Sequence, residues 1–146
     1  MSRITTMEEL IRKHHMDNWE LFLSVQKDLV EKNFEWIKLI IDTKNKQLIG
    51  QGDLIIDGRK FPILLSYSPF NGNRYERIYI SDGQVKYHRD IHVYGDLSLC
   101  LYHPLIDQGP FRKIPLVKMI PWISEWIVFY LQWEKYGVWL GKEIKH

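Results

Sequence analysis

The sequence predicts an α+β fold in which one helix precedes a four-stranded antiparallel meander, and C-terminal helices follow a long loop. Three observations indicate this order: a helical apolar stripe near the start, four short β-branched and aromatic runs in the middle, and a second helical stripe near the end. The 146 residues are within the usual size of one domain. We therefore predict a single domain over residues 1–146.

The first helix is predicted in the segment that contains Trp19. Two capping boxes, Thr6 with Glu9 and Asp17 with Glu20, compete for its start. From Trp19 onward the apolar positions follow a helical period, and the charged side chains lie mostly on the other face. One face of this helix is therefore expected to dock on the rest of the fold.

Four strands are predicted after the first helix, because short runs of β-branched and aromatic residues are bounded by turn residues. A polar tetrapeptide at 43–46 separates the first two runs, and Asp57-Gly58 supplies the dipeptide that tight hairpin turns favour. These connections indicate an antiparallel meander. The predicted strands are 34–41, 48–56, 61–67 and 75–80.

Residues 84–115 lack sustained periodicity and are predicted to form a long, structured loop. Long loops in a compact domain are often functional, which makes this one the candidate site. From Pro115 the apolar residues recur at spacings of three, four and seven, as in a helix. Pro121 is predicted to start a new helix, because proline suits a first turn but removes a hydrogen bond from an interior.

Composition excludes several classes of protein. The apolar and charged fractions, 45% and 26%, are those of an ordinary globular chain, and the basic residues are scattered without a phosphate-binding stripe. Nucleic-acid binding and a membrane span are therefore not expected, and no nucleotide-binding motif calls for a cofactor. The start has no signal-peptide stretch, so we expect a cytoplasmic protein whose single cysteine stays a free thiol.

The densest cluster of reactive side chains lies between Tyr87 and Pro104, where three of the six histidines accompany the only cysteine, Cys100. The cluster has three interpretations. In the first, Cys100 is a nucleophile. A thiol reacts as its thiolate, and a nearby imidazole lowers the thiol pKa, so His92 and His103 are the candidate neighbours.

The second interpretation is structural, because a free cysteine flanked by Leu99 and Leu101 is often a small buried apolar side chain. The third is a zinc site, since three histidines and one cysteine supply suitable ligand atoms. Both stay open beside the catalytic interpretation. The zinc ligands would be His88, His92, Cys100 and His103.

Over nearly its full length the chain resembles the ubiquitin-conjugating enzymes, in its order of elements and in the heptapeptide GDLSLCL at 95–101. The resemblance implies a ubiquitin-conjugating fold in which Cys100 accepts an acyl group that an amine then attacks, with His103 and His92 as proposed helpers. The family's His-Pro-Asn tripeptide, whose asparagine supports the oxyanion, is missing. In this chain, residues 87–89 lie about as far before Cys100 in the sequence as that tripeptide lies before the cysteine of the family.

A C-terminal signature resembles small standalone conjugating-enzyme relatives encoded in bacterial CBASS antiphage operons. That resemblance implies a covalent link between Cys100 and the C-terminus of a cyclic-oligonucleotide synthase, a cGAS-like nucleotidyltransferase, with transfer to an acceptor that raises synthase output. The alternative is a non-catalytic binding module that holds the partner's tail. Exposed aromatic residues near the C-terminus would also suit a homodimer. The signature consists of Trp126, Tyr130, Trp133, Trp139, Gly141 and Glu143.

Overall fold

The computed structural model describes residues 18–70, 74–101 and 114–141, together with Met7. The predicted α+β order is confirmed, since a helix precedes four antiparallel strands in the order β1-β2-β3-β4 and a helix follows them. The sheet is therefore a simple meander. The elements are α1 (Trp19–Asn33), β1 (Ile37–Asp42), β2 (Gln47–Ile56), β3 (Arg59–Tyr67), β4 (Glu76–Ile80) and α2 (Leu116–Tyr136).

The turn between β2 and β3 is the tight hairpin that the sequence predicts. Ile56 pairs with Arg59 across it, and both central residues have positive φ, 53° at Asp57 and 75° at Gly58. Two central residues of positive φ match the right-handed twist of the flanking strands. This turn sets the register of the two longest strands.

The core lies between one face of the sheet and the two helices. Alternate strand residues point into it, as the period of a half-buried strand requires. Helix α1 docks by one face, as expected, and buries Leu23, Gln26 and Val30. The largest fully buried apolar side chains of the sheet are Ile37, Leu48, Phe61, Ile63, Leu65, Tyr67 and Ile78.

The prediction that Pro121 starts a new helix is wrong, because α2 runs through it, and the described C-terminal part holds one helix. Pro121 is exposed, whereas Ile120 before it and Ile123 after it are buried in the same core. Packing on both sides therefore outweighs the one backbone hydrogen bond that proline cannot donate to Val117.

The apolar side chains of α2 pack in the core. Trp126 and Ile127 are buried there, in agreement with the helical spacing of the apolar residues. Gly137 caps the end of the helix, since its φ is 73° and its N–H donates to the Trp133 carbonyl over 2.7 Å. Within the ranges given above, no helix combines the length and the apolar character that crossing a bilayer requires.

Candidate functional site

The segment that carries Cys100 contains a short hairpin. An antiparallel bridge joins Val93 to Leu99, and the Cys100 N–H donates to the His92 carbonyl over 2.9 Å. Directly opposed residues of an antiparallel pair point to the same face. The register therefore places the side chains of His92 and Cys100 on one face, and those of Val93 and Leu99 on the other.

Two long-range hydrogen bonds attach this hairpin to the fold. The Leu99 N–H donates to the Ile78 carbonyl of β4 over 2.7 Å. The Trp126 indole N–H, from α2, donates to the His92 carbonyl over 2.8 Å. The His92 carbonyl thus accepts from both Cys100 and Trp126, so the cysteine backbone is held between the sheet and α2.

A carboxylate closes the hairpin turn. Asp96 accepts hydrogen bonds from the Ser98 N–H over 2.9 Å, from the Ser98 hydroxyl over 2.6 Å and from the Tyr79 hydroxyl over 3.1 Å. Burial opposes ionisation of this group, but the hydrogen bonds outweigh it and lower the pKa of Asp96. The ionised carboxylate stabilises the turn at Leu97, where φ is 70°.

The Cys100 thiol is buried, with only 3% of the residue exposed. Burial raises its pKa to about 11, and the Glu76 carboxylate acts in the same direction. A hydrogen bond from the Tyr94 hydroxyl and the positive charge of Arg74 act in the opposite direction and lower the pKa. The thiol is therefore protonated at neutral pH, and Tyr94 and Arg74 are the groups that favour its thiolate.

Arg74 connects the thiol's neighbours to one another. Its guanidinium lies over the Tyr94 ring, 3.9 Å from the ring centroid, and its Nε is 3.2 Å from Glu76 Oε1. The same guanidinium donates to the Ser98 hydroxyl. Glu76 is only 1% exposed, so the buried carboxylate has the paired cation that such a group requires. The cluster therefore supplies the sulfur with one hydrogen-bond donor, the Tyr94 hydroxyl, and with one favourable positive charge, that of Arg74.

The structure pairs the backbone of one predicted histidine, His92, with that of Cys100. His92 faces it across the hairpin, and the His92 imidazole stacks on the Trp139 indole with ring centroids 4.8 Å apart. His103 lies outside the described residues. Among the residues that the structure does describe, no three His, Cys, Asp or Glu side chains are grouped as metal ligands. The zinc interpretation therefore gains no support.

The sequence analysis missed Arg74, Glu76 and Tyr94. One signal was present for Glu76, because it occupies an inward position of β4 in the same alternation as Ile78 and Ile80. A carboxylate at a position patterned for burial requires a cation, and Arg74 lies two residues earlier on the chain. Tyr94 had no comparable signal, since its contact with Cys100 depends on the hairpin register.

Comparison with known proteins identifies one family. The sequence profile described as "Type II CBASS E2 protein" matches residues 26–146, a range that includes the whole sheet, the Cys100 hairpin and α2. No curated protein matches the chain.

Proposed function

This chain belongs to the family of type II CBASS E2 proteins, and on that premise we propose that it is a ubiquitin-conjugating-like cysteine acyltransferase. Cys100 would form a thioester with the C-terminus of a cyclic-oligonucleotide synthase, a cGAS-like nucleotidyltransferase, and pass that acyl group to an amine in antiviral defence. The helix, the four-stranded meander and the C-terminal helix occur in the order of the ubiquitin-conjugating fold, which we assign on that basis.

One observation carries the proposal: Cys100 ends a hairpin that is anchored to both β4 and α2, and the Tyr94 hydroxyl makes a hydrogen bond with its sulfur. Acyl transfer develops negative charge on the sulfur and on the carbonyl oxygen. Preorganised donors aimed at such charge are among the largest contributions to catalysis. The Tyr94 hydroxyl is a donor of this kind, which supports Cys100 as the proposed acyl acceptor.

The reaction has two steps. In the first, the Cys100 thiol loses its proton, the sulfur bonds to the carbonyl carbon of an activated C-terminus, and the activating group leaves. In the second, an acceptor amine forms a C–N bond, the C–S bond breaks, and the amine's proton passes to a base. The chain has no recognisable phosphate-binding motif, so activation is assigned to a separate enzyme.

His92 and His103 remain the proposed proton acceptors. General base help of this kind typically contributes ~100-fold to 10,000-fold in rate. His92 is on the Cys100 face of the hairpin, which supports the assignment. The sulfur is covered in the free protein, so the proposal requires the partner's tail to displace part of that cover.

A second candidate is the non-catalytic binding module, in which Cys100 is structural. It is favoured by the same burial, because a thiol that is 3% exposed with a pKa of about 11 is unreactive in the free protein. The two candidates differ in whether a covalent adduct forms. Binding of the synthase is expected in both.

The deciding experiment is intact mass spectrometry after co-expression with a CBASS cyclic-oligonucleotide synthase and with the enzyme that activates the synthase C-terminus. Wild-type protein is expected to carry a thiol-labile adduct, Cys100→Ser an ester that resists mild thiol treatment, and Cys100→Ala none. A synthase lacking its C-terminal residues is the matched control and should give no adduct. Synthase that binds all three forms without any adduct would contradict acyl transfer and establish the binding module.

A further inference from the structure

The hairpin places a second polar side chain on the face that carries the thiol. The Tyr94 N–H donates to the Ser98 carbonyl over 2.9 Å, so these two residues oppose each other as His92 and Cys100 do. Residues two apart on a strand share a face, which puts Tyr94 on the Cys100 side. From there the Tyr94 hydroxyl makes a side-chain hydrogen bond with the sulfur.

Arg74 fixes the position of this tyrosine from the other side. The guanidinium lies 3.9 Å from the Tyr94 ring centroid, within the range of a cation–π contact. The guanidinium is itself held by Glu76 and by Ser98, the residue opposite Tyr94. Planar stacking together with directed N–H groups is a property of arginine that lysine lacks. The Tyr94 hydroxyl is therefore preorganised toward the sulfur.

We propose that Tyr94 is a catalytic residue of this site, whose hydroxyl donates a hydrogen bond to the Cys100 sulfur whenever that sulfur carries negative charge. Arg74 is the positioning residue that holds the Tyr94 ring. Both assignments rest on the acyl transfer proposed above.

The donor acts at a defined point in each step. When Cys100 attacks, the hydroxyl stabilises the thiolate that forms as the proton leaves. When the acceptor amine displaces the acyl group, the C–S bonding pair returns to the sulfur, and Tyr94 donates to the departing thiolate. The tyrosine proton is shared in the hydrogen bond and is not consumed, so the thiolate regains its proton from the base that deprotonated the amine.

The test is the single-turnover discharge of the isolated thioester adduct by free lysine, comparing wild type with Tyr94→Phe. This variant keeps the aromatic ring over Arg74 and removes only the hydroxyl. A hydrogen bond to a charged group is worth enough to slow discharge by roughly 10-fold or more. Tyr79→Phe is the matched control, because its hydroxyl contacts Asp96 of the same hairpin, and it should discharge at the wild-type rate.

Positioning by Arg74 is tested by a double-mutant cycle. Arg74→Lys keeps the charge but loses the planar stack, so it should slow discharge when Tyr94 is present and have little further effect in Tyr94→Phe. A purely structural role for Arg74 would give additive losses. Equal discharge rates in wild type and Tyr94→Phe would overturn the proposal, as would equal slowing by Tyr79→Phe.

A partner-free measurement separates this proposal from acyl transfer itself. The pH profile of iodoacetamide alkylation on the free protein reports how readily Cys100 forms its thiolate. Tyr94→Phe should move that profile to higher pH, and Tyr79→Phe should leave it in place. An unmoved profile in Tyr94→Phe contradicts the sulfur contact. Absence of any adduct on the wild-type chain instead contradicts the proposed function and removes the catalytic role with it.

Discussion

The Trp139 indole stacks on the His92 imidazole with ring centroids 4.8 Å apart and planes 25° from parallel. Trp139 lies just beyond the end of α2 and also contacts Trp126 and Phe129, at centroid distances of 5.5 and 5.9 Å. His92 is the residue whose carbonyl accepts from the Cys100 amide. The segment after α2 therefore holds one strand of the cysteine hairpin against the helix.

Trp139→Ala is expected to expose Cys100 to labelling. Loss of three aromatic contacts lowers the free energy of local opening, and at ~0.5–1.5 kcal/mol for each aromatic pair the labelling rate should rise roughly 10-fold or more. Leu140→Ala is the matched control, because Leu140 is 57% exposed, and it should label at the wild-type rate. The measurement is the rate of Cys100 alkylation in native buffer. Unchanged labelling in Trp139→Ala would show that this segment does not hold the hairpin.

Gly52→Ala is expected to destabilise the protein by about 2 kcal/mol or more, because overpacking against a rigid neighbour cannot be relieved by a side-chain rotation. A Cβ at Gly52 would lie 2.0 Å from the Trp36 carbonyl oxygen and 2.9 Å from the Ile37 Cα, which are both backbone atoms. Gly95→Ala is the control, since a Cβ there meets nothing within 4 Å. Urea denaturation measures the unfolding free energy of the Gly52→Ala and Gly95→Ala variants. Equal midpoints for the two variants would contradict the prediction.

Pro121→Ala is expected to stabilise the protein by roughly 1–3 kcal/mol, because alanine restores the N–H that can donate to the Val117 carbonyl and has a far higher helix propensity. Pro121 is exposed inside α2, so little packing is lost with its ring. Lys118→Ala, at an exposed position one turn earlier, should change the unfolding free energy by less than about 0.5 kcal/mol. A decrease in the urea midpoint of Pro121→Ala would show that packing of the proline ring stabilises the folded protein.

The order of elements was predictable because its signals are local. Alternation in the strands and the Asp57-Gly58 turn act over a few residues, and the meander joins neighbours along the chain. The break at Pro121 was predicted wrongly for the converse reason. The core contacts of Ile120 and Ile123 stabilise the continuous helix by more than the proline destabilises it. The helical period in the sequence does not show how strong those contacts are.

The candidate site was predictable only in part. Cys100 stood out as the single cysteine in a long loop, and His92 lay near it in sequence. The groups that favour the Cys100 thiolate did not stand out, because Arg74 and Tyr94 meet only after the hairpin pairs and docks on β4. Contacts between segments that are distant in the chain leave no regular spacing in the sequence, so sequence patterns cannot predict them.

The buried thiol predicts a pH dependence of stability in the alkaline range. The ordinary value for the unfolded thiol is 9.0 and the folded pKa is about 11, so the unfolded state ionises first. Because the folded pKa is raised, this contribution to stability is fully present below pH 9 and is lost as the pH rises toward about 11. Two units of pKa correspond to at most about 3 kcal/mol.

The measurement is the unfolding free energy of wild type minus that of Cys100→Ser, determined by urea denaturation across the same pH range. Tyrosines that do not contact Cys100 contribute equally to both proteins, so their share cancels in the difference, and repeating the comparison in a Tyr94→Phe background removes the share of Tyr94. The difference should be constant below the unfolded thiol pKa and then decline with a slope approaching about 1.4 kcal/mol per pH unit. A difference that does not change with pH would mean that the thiol ionises equally in the folded and unfolded states, as an exposed cysteine would. A difference that rises with pH would mean that the folded state favours the thiolate. Either result would contradict burial as the dominant influence on Cys100.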